Sequence, residues 1–293
     1  MIVTRKKEIT VNAQTLFVKM MKLLFEYLAK EHFQTRQDRF QKLKNWVKNA
    51  NTASNWSDKK AHQYDKAEEL ITFYTFAPFL LRQDKTELVN RILKLGNISE
   101  TAIGEVTLTL EKSFHSPEGY LSWLRGVVEE SNPVQYVREQ AKEHRLRNRT
   151  LETDTHADAA IETANFEVFV EMKLTSDISV DTKFNPNRNQ LARLIDVGIE
   201  EAKKEGKKLI LLLCSPSVFF VNKSRFYSYK ITEYSDYGEI QKDIGWREQH
   251  EIEKYVSSVA WVPLESLIKT MYQDFNHPDK DEAMDFFRER KLA

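Results

Sequence analysis

Cysteine, glycine, proline and net charge are all scarce in this chain, and each scarcity excludes something. The single cysteine among 293 residues is Cys214, so no disulfide can form within the chain. It follows the apolar run Leu209 to Leu213 and reads as a buried core thiol at home in a reducing compartment. Eight glycines and seven prolines exclude collagen-like and linker-like sequence, and there is no repeat, low-complexity tract or Ser/Gly connector. The 44 basic and 44 acidic side chains cancel, so no global positive field draws a polyanion, and any nucleic-acid contact must come from local patches. The longest apolar stretches, Phe73 to Leu81 and Leu209 to Cys214, fall well short of the roughly 20 residues a bilayer demands. Met1-Ile2-Val3-Thr4-Arg5-Lys6-Lys7 is not followed by an apolar segment with a small-residue cleavage site, so no secretion signal is expected. A cytoplasmic protein with no membrane partner is the expectation. Gly-rich phosphate loops, Cys/His zinc patterns and nucleophile elbows are missing as well.

What is present is a globular composition, 41% hydrophobic and 30% charged, enough for a core and rich in helix-forming sequence. Leu16, Met20, Leu23, Leu24, Tyr27 and Leu28 recur at helical spacing, and Phe33, Phe40, Leu43, Trp46 and Val47 continue the rhythm. Further helices are predicted over Ala67 to Leu81, over Thr86 to Leu95 with a stop at Gly96-Asn97, and over Tyr120 to Glu130; Leu108 to Phe114 fits either state. Trp46 and Phe73 fall at core-like positions and read as packing rather than as base-stacking platforms. Asn132-Pro133 supplies an N-cap and a first-turn proline for a helix from Val134 to Arg147.

After Thr150 the pattern becomes β-rich: Ala157 to Thr163, Phe166 to Leu174, Lys208 to Leu213 and Val259 to Val262, with one long helix from Arg188 to Glu205 closing at Gly206. Tyr227 to Ile252 resists assignment and reads as an excursion between the last two strands. The chain thus divides near residue 130 into a helical domain, residues 1–130, suited to recognition or oligomerisation, and an α/β domain, residues 131–293.

Within Phe166 to Leu174, Val168, Val170, Met172 and Leu174 share one strand face while Phe169, Glu171 and Lys173 share the other. The carboxylate and the ammonium, two residues apart on a strand, point the same way and can reach one ion at the sheet's rim. The same E-x-K spacing at 201/203 and 289/291 falls on helices, where positions i and i+2 diverge, and at 205/207 on a helix end. The bland alternative for Glu171 and Lys173 is a surface ion pair, which contributes little. Upstream, His156 to Thr163 reads as the partner strand of a hairpin turning at Ala164-Asn165, which brings Asp158 beside Glu171. Two close carboxylates repel unless a cation joins them, and Mg²⁺ prefers oxygen ligands while keeping waters that a substrate phosphate can replace.

These residues resemble the PD-(D/E)XK nuclease superfamily, the restriction-endonuclease-like fold, over roughly Asn132 to Leu264. Asp158 matches the metal-binding aspartate, Glu171 the acidic residue of the second strand and Lys173 the lysine. Asn189-Gln190-Leu191-Ala192-Arg193 supplies the helix-borne glutamine, Gln190. The sequence departs where the superfamily's named proline is Ala157. The resemblance implies a helical N-terminal domain followed by a restriction-endonuclease-like mixed β-sheet core flanked by helices. It also implies that Asp158 and Glu171, with the Met172 carbonyl, hold one or two Mg²⁺ ions, for which Mn²⁺ can substitute. The metal would polarise the phosphate and lower the pKa of a water, and Lys173 would orient that water or stabilise developing charge.

A further acidic ligand is open among Glu139, Glu143 and Glu152, with Glu152 favoured because it leads straight to Asp158. His156 shares the Asp158 face and is a candidate near metal or phosphate, against the alternative of a structural histidine. Arg138, Lys142, Arg145, Arg147 and Arg149, together with Arg193, are the candidate nucleic-acid contacts, against the alternative of a solvated amphipathic helix. Lys203, Lys204, Lys207 and Lys208 follow from the helix dipole alone. The expected activity is a Mg²⁺-dependent nuclease, an endonuclease acting on DNA in restriction, phage defence or repair, with a homodimer or partner protein engaged through the N-terminal helices. The alternatives are a non-catalytic nucleic-acid-binding or structural subunit of the same fold, and an RNA-cutting enzyme.

Overall fold

The computed structural model describes residues 68–131 and 151–293. The predicted helices before residue 67 and over Val134 to Arg147 lie outside the described residues, and with them Arg138, Glu139, Lys142, Glu143, Arg145, Arg147 and Arg149. In chain order the described elements are α1 (Glu68–Leu81), α2 (Lys85–Leu95), β1 (Thr107–Phe114), α3 (Glu118–Ser131), β2 (Thr155–Glu162), β3 (Phe166–Met172), α4 (Gln190–Glu205), β4 (Lys208–Ser215), α5 (Ser217–Val221), α6 (Phe226–Glu233), α7 (Tyr237–Asp243), α8 (Gln249–Tyr255), β5 (Val256–Pro263), α9 (Leu264–Tyr272) and α10 (Lys280–Glu289). The class is α/β, built on a five-stranded mixed sheet in the order β1-β2-β3-β4-β5. β1, β2 and β3 pair antiparallel, while β3, β4 and β5 pair parallel.

The β2–β3 hairpin turns where expected, with Thr163 N–H donating to the Phe166 carbonyl at 2.9 Å and the Thr163 hydroxyl accepting from Phe166 N–H at 2.8 Å. A parallel β3–β4 pair needs a crossover, and α4 supplies it. Asn189 caps α4 by accepting from the Leu191 and Ala192 amides, and Gly206 ends it in the left-handed conformation at φ 64°. The face of α4 carrying Leu191, Leu194, Ile195 and Ile199 is buried in the main core with Phe169, Leu209 and Leu211. A Cβ at Gly198 would stand 2.6 Å from the Leu209 side chain and 3.1 Å from the Phe169 ring, so glycine is what lets the helix lie this close to the sheet.

The β3 strand is buried along its whole length, as a central strand with a parallel neighbour should be. The ambiguous Leu108 to Phe114 is β1, an edge strand whose only buried residues are Leu110 and Phe114, which is why its alternation is incomplete. The excursion expected over Tyr227 to Ile252 is helical, formed by α6 to α8.

Two compact units divide the chain: residues 83–267, and residues 1–82 with 268–293. The division expected near residue 130 is displaced because β1 hydrogen-bonds along β2 and so belongs to the sheet. In the second unit Phe73, Phe76, Phe79, Met271 and Phe287 are buried, and the rings of Tyr74 and Phe286 lie 4.6 Å apart. Pro78 sits inside α1 and offers no N–H to the Tyr74 carbonyl; the Tyr272 hydroxyl donates to that carbonyl at 2.7 Å. Among the described residues no helix is long and apolar enough to cross a membrane.

Candidate active site

Chemistry-bearing residues collect at one end of the sheet, where β2 begins and β3 and β4 finish. The antiparallel register pairs Ala159 with Val170 and Ala160 with Phe169. Asp158 therefore comes to the level of Glu171, on the face it shares with Phe169 and Lys173. The Asp158 Oδ2 accepts the Met172 N–H at 2.6 Å, which ties the two strands together at this end. Lys173 stands one residue past β3, its own N–H donated to the Cys214 carbonyl at 2.8 Å.

The Lys173 ammonium lies 2.7 Å from Glu171 Oε1, and the two residues are 6% and 1% exposed. This is no solvated surface pair: a carboxylate this deep must be matched by charge and hydrogen bonds. Gln190, the first residue of α4, donates Nε2–H to the same Glu171 Oε1 at 2.6 Å. Its orientation is set by Ser179, whose carbonyl accepts from Gln190 N–H at 2.9 Å and whose amide donates to Gln190 Oε1 at 3.4 Å. Asn189, besides capping the helix, donates Nδ2–H to Asp243 at 2.8 Å. Asp243 also accepts from the Tyr234 hydroxyl at 2.6 Å and lies 2.8 Å from the Lys230 ammonium. The start of α4 is thereby held from both sides, and Gln190 with it.

The pair at 201 and 203 diverges as expected on a helix, Lys203 pairing with Glu251 and Glu201 with Lys204, while Lys207, past the end of α4, reaches Glu167. Burial pushes the Cys214 thiol well up, and the nearby Asp158 and Glu171 carboxylates push it further. It is the inert core thiol the sequence predicts.

Glu152, favoured as an additional metal ligand, is committed elsewhere. Both of its oxygens accept from Arg188 Nε, at 3.1 and 2.8 Å, and Oε1 also accepts the Ser116 hydroxyl at 2.9 Å. Arg188 in turn lies 2.8 Å from Asp196, stacks on the Tyr120 ring at 3.6 Å, and is fully buried. Asp196 is shared with Arg247 at 2.5 Å and with the Trp246 indole at 3.1 Å. Burial works against the Arg188 charge, but Asp196 and Glu152 outweigh it and hold the guanidinium above its ordinary range. Sequence reasoning missed this network; its one signal is Asp196, a charge set among Leu194, Ile195 and Val197 on the buried side of α4.

An open cleft of about 560 Å³ adjoins the site, lined by Thr153, Asp154, Thr155, His156, Gln190 and Arg193. The structure brings His156 and Arg193 to this cleft beside Gln190. His156 is exposed. Arg193 donates to the Thr153 and Asp154 carbonyls, both at 3.2 Å, so much of its capacity goes to pinning the segment before β2. Among the described residues no group of three or more His, Cys, Asp or Glu side chains is arranged to hold a metal. Asp158, Glu171 and the Met172 peptide are the oxygen donors at the site. Comparison of the chain with protein-family models, with curated proteins and with solved structures finds no match.

Proposed function

We propose that the protein is a Mg²⁺-dependent nuclease of the PD-(D/E)XK type that hydrolyses phosphodiester bonds, acting on DNA in restriction, phage defence or repair. The observation that carries this reading is the convergence of Asp158, Glu171 and Lys173 at one sheet end, with Gln190 bonded to Glu171 at 2.6 Å. At the level of class, the mixed sheet with packed helices agrees with the restriction-endonuclease-like core that the motif resembles.

The donor set suits a hard divalent cation, since Mg²⁺ needs only one or two carboxylates and takes its remaining ligands from water and substrate phosphate. Asp158 and Glu171 would hold the ion, with the Met172 carbonyl. Bound there, Mg²⁺ supplies Lewis-acid polarisation of the phosphodiester and a water of lowered pKa. Lys173, fixed by Glu171, presents an ammonium in a largely water-excluded position, where a cation aimed at developing negative charge is most effective. Gln190 holds the Glu171 carboxylate in orientation, as the outer partners of metal-binding carboxylates do. His156, exposed in the neighbouring cleft, would donate to a substrate phosphate.

The test is digestion of plasmid, linear and single-stranded DNA, and of RNA, with Mg²⁺ or Mn²⁺. Wild-type protein is expected to cut, and Asp158→Ala and Lys173→Ala to lose at least about a hundredfold in rate. Equal cutting by either variant refutes the site, and cleavage of RNA alone replaces the substrate.

A further inference from the structure

Because β4 runs parallel to β3, with Glu171 and Met172 opposite Leu213 and Cys214, the chain leaving β4 stays at the sheet end that carries the site. The sequence there is unusual. From Gly206 to Thr232 there is no Asp or Glu, in a chain whose acids and bases balance overall. The part beyond β4 carries Lys223, Arg225 and Lys230 among Phe219, Phe220, Phe226, Tyr227 and Tyr229.

Much of this surface faces water although it is apolar: Val218 is 57% exposed, Val221 70% and Tyr229 49%. Lys223 is exposed too, its ammonium 5.8 Å from the centre of the Tyr229 ring. Beneath them α5 is anchored by Phe220, which stacks on Trp261 at 4.1 Å and 3°. Arg225 donates to the Thr175 carbonyl at 2.9 Å, two residues past Lys173, and lies 4.5 Å over the Phe219 ring. The surface is thus tied directly to the chain that leaves the site.

Three carboxylates reach it from other elements, and Glu233 closes α6 itself: Asp243 and Glu233 neutralise Lys230, at 2.8 and 2.9 Å, while Asp177 and Glu265 are occupied by backbone amides. Asp177 accepts from Phe226 N–H at 2.6 Å and Tyr227 N–H at 3.2 Å, and Glu265 from Ser217 N–H at 3.1 Å. What remains outward around Lys223 is the Tyr229 ring, the Val218 and Val221 side chains and the Lys223 charge. That is the chemistry of an unpaired nucleic-acid strand: the ammonium meets phosphate, and the ring meets a base face that a duplex would keep stacked.

We propose that the α5–α6 surface, with Lys223 and Tyr229 at its centre, binds a single nucleic-acid strand and leads it to the Glu171–Lys173 end of the sheet. The direction of that path rests on the nuclease reading above; the binding itself does not. The experiment is fluorescence anisotropy of labelled single-stranded DNA, single-stranded RNA and duplex DNA, with the full chain carrying Lys173→Ala so that no cutting intervenes. Adding Lys223→Glu is expected to weaken single-strand binding about fivefold or more and to reduce the slope of log affinity against log salt by about one. Tyr229→Ala is expected to weaken single-strand binding at least about fivefold and duplex binding less. Lys204→Glu, an equal charge change near the far end of α4, should leave binding unaltered.

The proposal is overturned if the parent binds none of the probes, if both variants bind single strands as the parent does, or if Lys204→Glu weakens binding as much. Duplex bound as tightly as single strand, with equal losses in both variants, also overturns it. Metal-dependent cutting by wild type that persists alongside such results leaves the nuclease reading standing. Binding that depends on Lys223 and Tyr229 without any cutting supports this surface and refutes the hydrolytic role.

Discussion

Replacing Glu152 with alanine distinguishes a buried structural carboxylate from a metal ligand. The Glu152 side chain is 1% exposed, and Arg188, its partner, is fully buried. Without Glu152, Arg188 keeps only Asp196, which it shares with Arg247, while Arg247 also holds Glu200 and Glu251. Breaking a buried pair costs about 3–5 kcal/mol because a charge is left uncompensated. Asp196 remains 2.8 Å from Arg188, which puts the expected loss at the low end, about 3 kcal/mol. At roughly 2–4 °C per kcal/mol for a unit of this size, Tm should fall by about 6–12 °C. The measurement is thermal denaturation followed by circular dichroism, paired with calorimetric titration of Mg²⁺ below the lowered Tm. Glu152→Gln, which keeps the volume and one acceptor, should fall between wild type and alanine in Tm. A Glu152→Ala protein that melts like wild type, or that loses Mg²⁺ binding with Tm unchanged, would refute the structural role and return Glu152 to the metal.

Gln190→Ala should lower Mg²⁺ affinity about 10–100-fold while leaving the fold intact, since it removes the partner that orients Glu171 rather than a ligand; unchanged titration heats would count against that role. Gly198→Ala forces a methyl group into the Leu209 side chain and the Phe169 ring, and a cost of about 1–3 kcal/mol is expected in urea unfolding; a variant as stable as wild type would show that α4 can lift off the sheet. Burial holds Glu167 above the ordinary carboxylate range, against the opposing pull of Lys207. Its contribution to stability is then fully present below the unfolded value near 4.5 and is lost as pH rises through the higher folded value. Glu167→Gln should therefore raise Tm relative to wild type at neutral pH, with the gap closing below pH 4.5; a gap that widens in acid contradicts the sign.

The residues at the centre of the site were legible because strand periodicity is local. Alternation put Glu171 and Lys173 on one face, the hairpin signal at Ala164-Asn165 put Asp158 opposite, and the helix pattern after Arg188 put Gln190 at a helix start. Each follows from the preferences of a few neighbouring residues. The edge strand β1 was not legible in the same way, since one partner strand and a half-exposed face leave it little hydrophobic alternation. The short helices α6 to α8 are too brief to show a period, and their buried residues, such as Tyr227, Ile240 and Ile252, are isolated in sequence.

By itself, then, the sequence determined the α/β character of the region after Thr150, the strand-borne Asp158 and Glu171 with Lys173 directly after the strand, and the inert setting of Cys214, all consequences of short-range pattern. Only the tertiary structure decided where Glu152 belongs. Sequence proximity to Asp158 suggested the metal, but its carboxylate lies within reach of Arg188, 36 residues away. A carboxylate that deep takes the nearest full positive charge, and which charge is nearest is set by the packing of the segment before β2 against the start of α4 and by no local signal. The same holds for the boundary between compact units, moved from residue 130 to residue 83 by the pairing of β1 with β2, a contact between segments some 50 residues apart.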